Sequence, residues 1–421
     1  MLLGAIADDL TGATDLALTL SREGMRTVQV VGVPPVGFDY GDAEAVVLAL
    51  KSRTIPAAEA VAMSLQALER LQQVGARQII FKYCSTFDST PEGNIGPVTQ
   101  ALLASLGEEL TIVCPAFPTN GRTIYRGHLF VGDMPLSESP MKDHPLTPMT
   151  DSSLVRLMQA QTTLPVGLVT LDTVTRGPQA IREAFAKAKA AGTKVLVIDA
   201  ISDDDLRSIG AAVDDMKLIT GGSGIAIGLP ENFRKQQELT PRQGHADFDA
   251  PAGRAIMLAG SCSKATRGQI QAAIEAGTPT FKIDPLAINA GTLTPAQAIE
   301  WADQITGAVP LIYSSADPEI VRAAQAKLGR DRAGELVEHF LGSVATALRD
   351  KGFTRFLVAG GETSGAVVGA LGVSALFIGP EIDPGVPWTR SLGDAKPVAL
   401  ALKSGNFGAD DFFSKAWRLL K

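Results

Sequence analysis

Short runs of apolar residues alternate with stretches of helical periodicity along the first half of the chain. The run at 2–7 precedes a segment in which Leu10 and Ala13 share one helical face, and the run at 45–50 precedes a helical pattern over about 57–74. These runs are apolar at consecutive rather than alternate positions, which is typical of parallel strands buried between layers of helices. The pattern therefore predicts an α/β fold.

The same alternation continues beyond this point and is interrupted once. Further strand-containing segments lie at 77–82, 110–115, 164–171, 193–200 and 216–229, and then at 255–270, 309–318, 353–372 and 397–408. Between the two sets, residues 230–254 are polar, rich in Gln, Pro and Gly, and without hydrophobic period. We expect two domains, each a mainly parallel sheet flanked by helices, over 1–235 and 255–421, with a linker over 236–254.

Composition and charge narrow the functional classes. The chain has 421 residues and a net charge of −7, so a broad basic surface for nucleic acid is not expected. Its three cysteines, Cys84, Cys114 and Cys262, have no metal-site or disulfide spacing, which favours a reducing cytoplasm. The N-terminal apolar stretch is too short for a signal peptide, and no run is long enough to span a membrane.

Charged residues follow the first apolar runs at the points where strands are expected to end. In open parallel sheets, ligands bind beyond the carboxyl ends of the strands. If the four strands are neighbours, their ends form one polar crevice that contains Asp8, Asp9, Arg53, Lys82, Asp88 and Arg122. The cations suit a carboxylate, and the aspartates suit hydroxyl groups or a general base, so the crevice is suited to a small polyhydroxylated acid.

Each of these residues also has an ordinary structural interpretation. Asp9 could simply cap the N-terminus of the helix that follows it. The Ser/Thr-rich stretch at 85–90 could be a strand-end turn, and Arg53 or Arg122 alone could be a surface arginine. The combination of opposite charges at four strand ends favours the functional interpretation, because turns selected only for geometry need not carry complementary charge.

Three strand-to-helix turns in the second half are rich in glycine and serine. They lie at 259–270, 356–372 and 403–408, and their backbone amides could approach phosphate groups at a helix N-terminus. None is a P-loop or a clean dinucleotide-binding motif. Close packing of strand against helix is the alternative, but three such turns in one domain favour a nucleotide phosphate site. A similar stretch at 220–228 is interpreted as a structural turn or domain-edge contact.

Five segments in order resemble the four-carbon acid sugar kinase family. They are ADDLTGATD, KYCSTFDSTPEGNIGPV, CPAFPTNGRTIYRGHLFV, AGSCSKATRGQI and GGETSGAVVGALG. The resemblance extends from Ile6 to about Phe407. It implies an N-terminal domain that binds a sugar acid, a C-terminal domain that binds ATP, and transfer of the γ-phosphoryl group to the terminal hydroxyl of a four-carbon acid.

The resemblance also implies roles for individual residues. On the substrate side it places Asp9 and Asp88 as catalytic residues, and as substrate-binding residues Asp8, Arg53, Lys82, Asn94 and Arg122. On the ATP side it places Ser261, Ser263, Gly360, Gly361, Glu362, Thr363 and Gly405. Mg²⁺ is expected with ATP, but its protein ligands are not identified. Closure of the two domains would exclude water from the phosphoryl transfer, and the linker would permit it.

The substrate branch is indicated by one departure from the family pattern. Relatives of the threonate and erythronate type usually carry DSTLRGN after the lysine, whereas here DSTPEGN follows an additional Ser-Thr stretch and Glu92 replaces the arginine. This difference favours a 3-oxo-tetronate, with threonate or erythronate as the alternative. An NAD-dependent hydroxy-acid oxidoreductase and a non-enzymatic sugar-acid sensor are alternatives from other classes. The expected partners are a small sugar acid and, as one option, a second copy of the chain in a homodimer, but neither nucleic acid nor a membrane.

Overall fold

The computed structural model describes residues 1–143, 147–240, 248–314 and 326–420. The chain divides into two compact units, Met1–Gly244 and His245–Lys421. Much of the expected linker, 241–247, lies outside the described residues. At its edges, Leu239 is buried within the first unit, and Arg254 is already the first residue of a strand.

The first unit is built on a parallel sheet. Its strands are β1 Leu3–Ala7, β2 Thr27–Val31, β3 Ala45–Ala49, β4 Gln78–Lys82, β5 Thr111–Cys114, β9 Val166–Val169, β10 Val195–Ile198 and β11 Leu218–Gly221. Within this unit the strand order is β2-β3-β1-β4-β11-β5-β10-β9. Three short strands, β6 Arg122–Tyr125, β7 His128–Val131 and β8 Met134–Pro135, form a separate antiparallel sheet after β5.

Helices connect the parallel strands of the first unit. They are α1 Leu10–Arg22, α2 Ala57–Gln73, α3 Ile95–Ser105, α4 Leu154–Gln161, α5 Leu171–Val174, α6 Pro178–Ala190, α7 Asp203–Ala212 and α8 Pro230–Lys235. Local sequence explains several helix starts: Ser153 caps α4, and Ser202 forms a capping box with Asp205 at α7. Helix α8 lies inside the polar stretch 230–254, for which the sequence pattern predicted no helix or strand.

The second unit has its own mainly parallel sheet. Its strands are β12 Arg254–Ala259, β13 Thr280–Lys282, β14 Leu311–Tyr313, β15 Phe353–Ala359, β16 Ala375–Asp383, β17 Val386–Ser391 and β18 Ala399–Lys403. The order is β13-β14-β12-β15-β18-β17-β16, in which β17 is antiparallel to both β18 and β16. The prediction of an α/β fold with a mainly parallel sheet in each of two domains is confirmed.

Helices also accompany the second sheet. They are α9 Lys264–Glu275, α10 Pro285–Asn289, α11 Pro295–Gln304, α12 Arg330–Asp350, α13 Gly361–Ala370 and α14 Phe412–Lys415. Trp388 of β17 is fully buried in an apolar cluster with Phe412 and Phe413, and its indole N–H donates to the carbonyl of Ala416. This packing anchors the C-terminal segment to the sheet. Among the described residues, no helix is both long and apolar enough to cross a membrane.

The sheet of the first unit differs from the sequence expectation in two respects. Strand β2 was not anticipated, and β11 lies between β4 and β5. Consequently the ends of β3, β1 and β4 are adjacent, as expected, but the end of β5 is not next to them. The chain after β5 turns back into the β6–β8 sheet, so Arg122 begins a hairpin rather than ending a neighbouring strand.

Candidate functional site

The carboxyl ends of three adjacent strands bring the first charged residues together. Ala7, the last residue of β1, lies beside Ala49 of β3 and Lys82 of β4. The backbone N–H of Asp8 donates to the carbonyl of Lys82 at 3.0 Å, and the carbonyl of Asp8 accepts from the N–H of Arg53 at 3.2 Å. The backbone itself therefore fixes Asp8, Arg53 and Lys82 at one edge of the sheet.

Arg53 binds both members of the aspartate pair. Its guanidinium forms a bidentate contact with Asp8, from Nε to Oδ2 at 2.9 Å and from Nη2 to Oδ1 at 2.7 Å. The same Nη2 donates to Oδ1 of Asp9 at 2.8 Å. The Asp8 side chain is 5% exposed and that of Asp9 is 27% exposed, so Asp9 is the more accessible of the two. Burial raises the pKa of Asp8, while Arg53 lowers it, and burial prevails.

Asp9 combines the structural and the functional interpretations. It is the N-cap of α1, since its Oδ1 accepts the N–H of Gly12 at 3.0 Å, and its Oδ2 accepts the hydroxyl of Thr11 at 2.9 Å. Burial would raise the pKa of Asp9, but the charges of Arg53 and Lys82 outweigh it and hold that pKa below its usual value. Asp9 is thus a fixed carboxylate that is poorly suited to accept a proton but well suited to accept hydrogen bonds.

Lys82 lies close to the start of α1. Its side chain is almost fully buried, and its ammonium donates to the carbonyl of Tyr83 at 2.8 Å. A Cβ at Gly12 would lie 3.0 Å from the Lys82 Nζ and closer still to Asp9. Only glycine at position 12 leaves room for the lysine and the aspartate at this helix N-terminus.

Asp15 is a third carboxylate in the same cluster. It lies on α1, is 8% exposed, and its Oδ2 accepts the hydroxyl of Ser223 at 2.5 Å. Burial raises the pKa of Asp15, and the nearby cations Lys82 and Arg122 act in the opposite direction. Its Oδ1 is buried and has no hydrogen-bond partner among the described residues. The stretch at 220–228, interpreted from the sequence as a structural turn, therefore also supports a carboxylate of the site.

The turn after β4 carries Asp88. Its Oδ1 accepts the hydroxyl of Thr86 at 2.6 Å, and the side chain is buried. Burial raises the pKa of the neighbouring thiol of Cys84 to about 12, and the charge of Asp88 adds to this effect. Phe87, which directly precedes Asp88, has a φ of 52°, a left-handed conformation that is rare for a bulky residue. Strain of this kind is often found at functional turns.

Asn94 binds the backbone of the segment that contains Arg53. Its side-chain amide donates to the carbonyl of Ser52 at 2.6 Å and more distantly to those of Arg53 and Ile55. Asn94 was expected to bind substrate. In the structure its amide nitrogen holds the backbone of the segment that presents Arg53, and substrate binding by Asn94 stays a prediction.

Arg122 approaches the cluster from the β6–β8 sheet. Its Nη1 donates to the carbonyl of Asn120, while its Nε is buried without a hydrogen-bond partner in the described ranges. Its charge lowers the pKa of Asp15. Arg122 therefore joins the cluster although its strand is not a neighbour of β4, and it has donor capacity that the described residues do not use.

In the second unit, three strand ends also meet. Strands β12, β15 and β18 are adjacent and parallel, and they end at Ala259, Ala359 and Lys403. Ser263, the N-cap of α9, donates its hydroxyl to the carbonyl of Gly405 at 2.5 Å. A Cβ at Gly405 would lie 2.5 Å from the Ser261 hydroxyl. The two serines and Gly405 thus form one compact turn region.

The turn after β15 completes this region. Gly360 has a φ of 127°, which a residue with a side chain rarely adopts, and a Cβ there would lie 3.2 Å from the N of Ser261. Helix α13 begins at Gly361; Gly361 and Glu362 are exposed, whereas Thr363 is buried. Every residue predicted from the sequence for the nucleotide side lies on these three turns.

Two residues of these clusters were missed by the sequence analysis. Asp15 lies within the first helix. An aspartate among the apolar residues of that helix is an anomaly that the sequence alone could have shown. Lys403 was regarded as part of a turn, yet it is the fully buried last residue of β18. Across the described ranges, no group of three or more His, Cys, Asp and Glu side chains could hold a metal ion.

Comparison with known proteins decides the family. Residues 3–229 match the model of a sugar-binding N-terminal domain, and residues 256–413 match that of a nucleotide-binding C-terminal domain. The chain is 58% identical over 421 residues to the 3-oxo-tetronate kinase of Cupriavidus necator, a match that covers 100% of this chain and 97% of that protein. The chain belongs to the four-carbon acid sugar kinase family. It is an enzyme of the kinase class, with a sugar-binding domain followed by a nucleotide-binding domain.

Other relatives are also similar to this chain over nearly its full length. The 3-oxo-tetronate kinase of Pseudomonas fluorescens is 57% identical over 416 residues, covering 99% of this chain and 96% of that protein. A solved chain from Salmonella typhimurium LT2, described as a candidate tRNA synthase, is 43% identical with a TM-score of 0.89, and the match covers 99% of this chain and 98% of that one. A solved Haemophilus influenzae protein is 42% identical with a TM-score of 0.82, and the match covers 99% of this chain and 100% of that one.

The Arg53 cluster generates a prediction about stability. Replacing Arg53 by Ala leaves the buried Asp8 carboxylate without its counter-ion, so we expect the free energy of unfolding to fall by about 3–5 kcal/mol in chemical denaturation. The matched control is Arg156→Ala, which removes an equally bidentate but exposed contact with Asp151. That change is expected to have a much smaller effect. Equal losses for the two variants would contradict a special role for the Arg53 cluster.

Proposed function

We propose that the chain transfers the γ-phosphoryl group of ATP to the 4-hydroxyl of a 3-oxo-tetronate. The observation that carries this proposal is the 58% identity to the Cupriavidus necator 3-oxo-tetronate kinase across the whole chain. The two clusters of strand-end residues support it, because one is rich in carboxylates and cations and the other in bare backbone and hydroxyls.

The proposed reaction is an in-line displacement at phosphorus. A bond forms between O4 of the acid and the γ-phosphorus, and the bond from that phosphorus to the β,γ-bridging oxygen breaks. ADP leaves with the electron pair, and the proton of the 4-hydroxyl passes to a base. Such a transfer depends mainly on positioning and on neutralising charge.

The carboxylate of the acid is proposed to bind the cations that retain donor capacity. Arg122 has a buried Nε without a protein partner in the part of the chain that the structure describes. Lys82 donates one N–H to the carbonyl of Tyr83, and an ammonium has three. Arg53 is largely committed to Asp8 and Asp9, so its proposed contribution is to organise these carboxylates and to supply positive charge.

The carboxylates are proposed to orient the hydroxyl groups. Asp9 is more accessible than Asp8, and its lowered pKa keeps it charged as a hydrogen-bond acceptor for the attacking hydroxyl. Asp88 remains the second catalytic candidate, on a strained turn next to Phe87. Asp15, with its raised pKa and an unpartnered buried oxygen, joins them as a substrate-side carboxylate.

ATP is proposed to bind through the three turns of the second unit. Helix α13 presents the N–H groups of its first turn beside Gly360, and a helix N-terminus of this kind favours an anionic phosphate. The turn that contains Ser261 and Ser263 and the turn at Gly405 lie against it. The proposed nucleotide residues are therefore Ser261, Ser263, Gly360, Gly361, Glu362, Thr363 and Gly405.

Mg²⁺ is proposed to enter with the nucleotide. The described residues contain no cluster able to hold a metal by themselves. This fits an ion that is bound mainly by phosphate oxygens and water, with at most one or two carboxylates from the protein. When bound, Mg²⁺ would neutralise charge on the transferring phosphates.

A cytoplasmic location and a homodimer also remain proposals. The three cysteines are free, which agrees with a reducing compartment. Sedimentation of the purified protein would measure its oligomeric state.

The direct test is an ATP-consumption assay over a panel of four-carbon acids. We expect turnover with 3-oxo-tetronates and little with D-threonate or D-erythronate. Turnover restricted to threonate or erythronate would instead support the other branch of the family. Reduction of a nicotinamide cofactor on the same panel, without ATP consumption, would contradict the kinase proposal.

Arg122 provides a residue-level prediction. Arg122→Met keeps much of the side-chain volume but removes a charge-assisted contact, which typically contributes about 1.5–3 kcal/mol. We therefore expect the KM for the acid to rise by roughly 10–150-fold while the KM for ATP stays nearly unchanged.

The matched control is Arg126→Met, which removes an exposed arginine of the same hairpin that pairs with Asp172 on the surface. It is expected to leave both KM values close to those of the wild type. Equal increases of the KM for the acid and the KM for ATP in Arg122→Met would contradict the proposal that Arg122 binds the acid.

A further inference from the structure

Lys403 is a buried lysine that holds the turn following β18. The side chain is 0% exposed. Its ammonium donates to the hydroxyl of Thr266 and to the carbonyls of Ser404 and Gly405, each at 3.0 Å. All three N–H groups are thus directed to protein acceptors.

The acceptors around Lys403 are neutral. Buried charges in proteins are normally paired with an opposite charge. Within the described residues, Lys403 forms no ion pair, and burial lowers its pKa to about 7. The nearby turns and helices carry Cys262, Lys264, Arg267 and Glu362, and none of these side chains is bonded to the ammonium. The described residues therefore do not compensate this charge with an opposite one.

Lys403 lies beneath the three strand-end turns. Its carbonyl accepts the N–H of Gly360 at 2.8 Å, which joins β18 to the start of α13. The carbonyl of Gly405 accepts from Lys403, and also from the hydroxyls of Ser263 and Thr266. A change at Lys403 would therefore reach all three turns, and its ammonium lies against the Ser404–Gly405 turn.

We propose that Lys403 is the counter-charge of the nucleotide phosphates, a positioning residue that fixes the Ser404–Gly405 turn and supplies the positive charge behind it. This inference rests on the proposed nucleotide site. It differs from a purely structural role, because a buried cation must favour ligands in proportion to their negative charge. A lysine that only held the turn would affect all nucleosides and nucleotides alike.

The test is binding of adenosine, ADP and ATP to the full-length protein and to Lys403→Met, measured by calorimetry. We expect the affinity for ATP to fall by about tenfold or more, that for ADP to fall by less, and that for adenosine to change by less than about twofold. The control Gln269→Leu removes neutral bonds to the carbonyls of Phe407 and Gly408 in the same loop but removes no acceptor of the Lys403 ammonium, and it should change all three affinities by a similar factor. A uniform loss in Lys403→Met as well would overturn the proposal.

A measurement on the unaltered protein keeps the proposal testable if the variant does not fold. ADP is titrated at pH 8 in two buffers that differ in ionisation enthalpy. Phosphates beside Lys403 would raise its pKa from about 7, so binding should take up protons and the observed heat should differ between the buffers. Repeating the titration with Cys262→Ser excludes the neighbouring thiol as the source.

Identical heats in the two buffers would overturn the role of Lys403 while leaving the nucleotide site intact. Failure of the wild-type protein to bind ADP or ATP at all would instead overturn the proposed function on which the inference rests.

Discussion

The contact between Arg53 and two consecutive aspartates is the interaction on which the first cluster depends. Three parallel strands end together; Arg53 bonds to Asp8 and Asp9 there, and the charge of Lys82 lies close enough to act on Asp9. Packing like charges at one edge would be unfavourable without the guanidinium between them. Because Arg53 bonds to both oxygens of Asp8 and to one of Asp9, the carboxylates are oriented before any ligand arrives. Rigid, pre-oriented charges are what phosphoryl transfer requires.

The residues at the strand ends differ in chemistry between the two units. In the first, side chains carry the charge, and the Arg122 Nε and the Asp15 Oδ1 have no hydrogen-bond partner among the described residues. In the second, the strand ends leave no room for a Cβ at Gly360 and Gly405, and the ammonium of Lys403 is buried beneath them. A small acid with several hydroxyls suits the first arrangement, and a polyphosphate suits the second.

The sequence predicted the fold class and the main strands because a fully buried parallel strand is an uninterrupted apolar run, as at Ile79–Phe81. It missed β2, where Gln29 interrupts the run; this glutamine is buried because it bonds to Thr14 and to the Leu10 carbonyl of α1. It could not place β11 between β4 and β5, since strand order depends on how crossovers pack rather than on local pattern. Lys403 escaped notice for a similar reason: its burial is a property of three adjacent strand ends, not of its neighbours in sequence.

The central claim is that the acid is phosphorylated at its terminal hydroxyl. The product of a reaction with ATP and a 3-oxo-tetronate can be examined by proton-coupled ³¹P NMR. A phosphate on O4 is attached to a CH₂ group, so the account predicts a new phosphomonoester resonance split into a triplet by two equivalent protons, or a closely related pattern if they are inequivalent. A phosphorus resonance coupled to a single proton, or one without coupling, would place the phosphate on another oxygen and contradict the account.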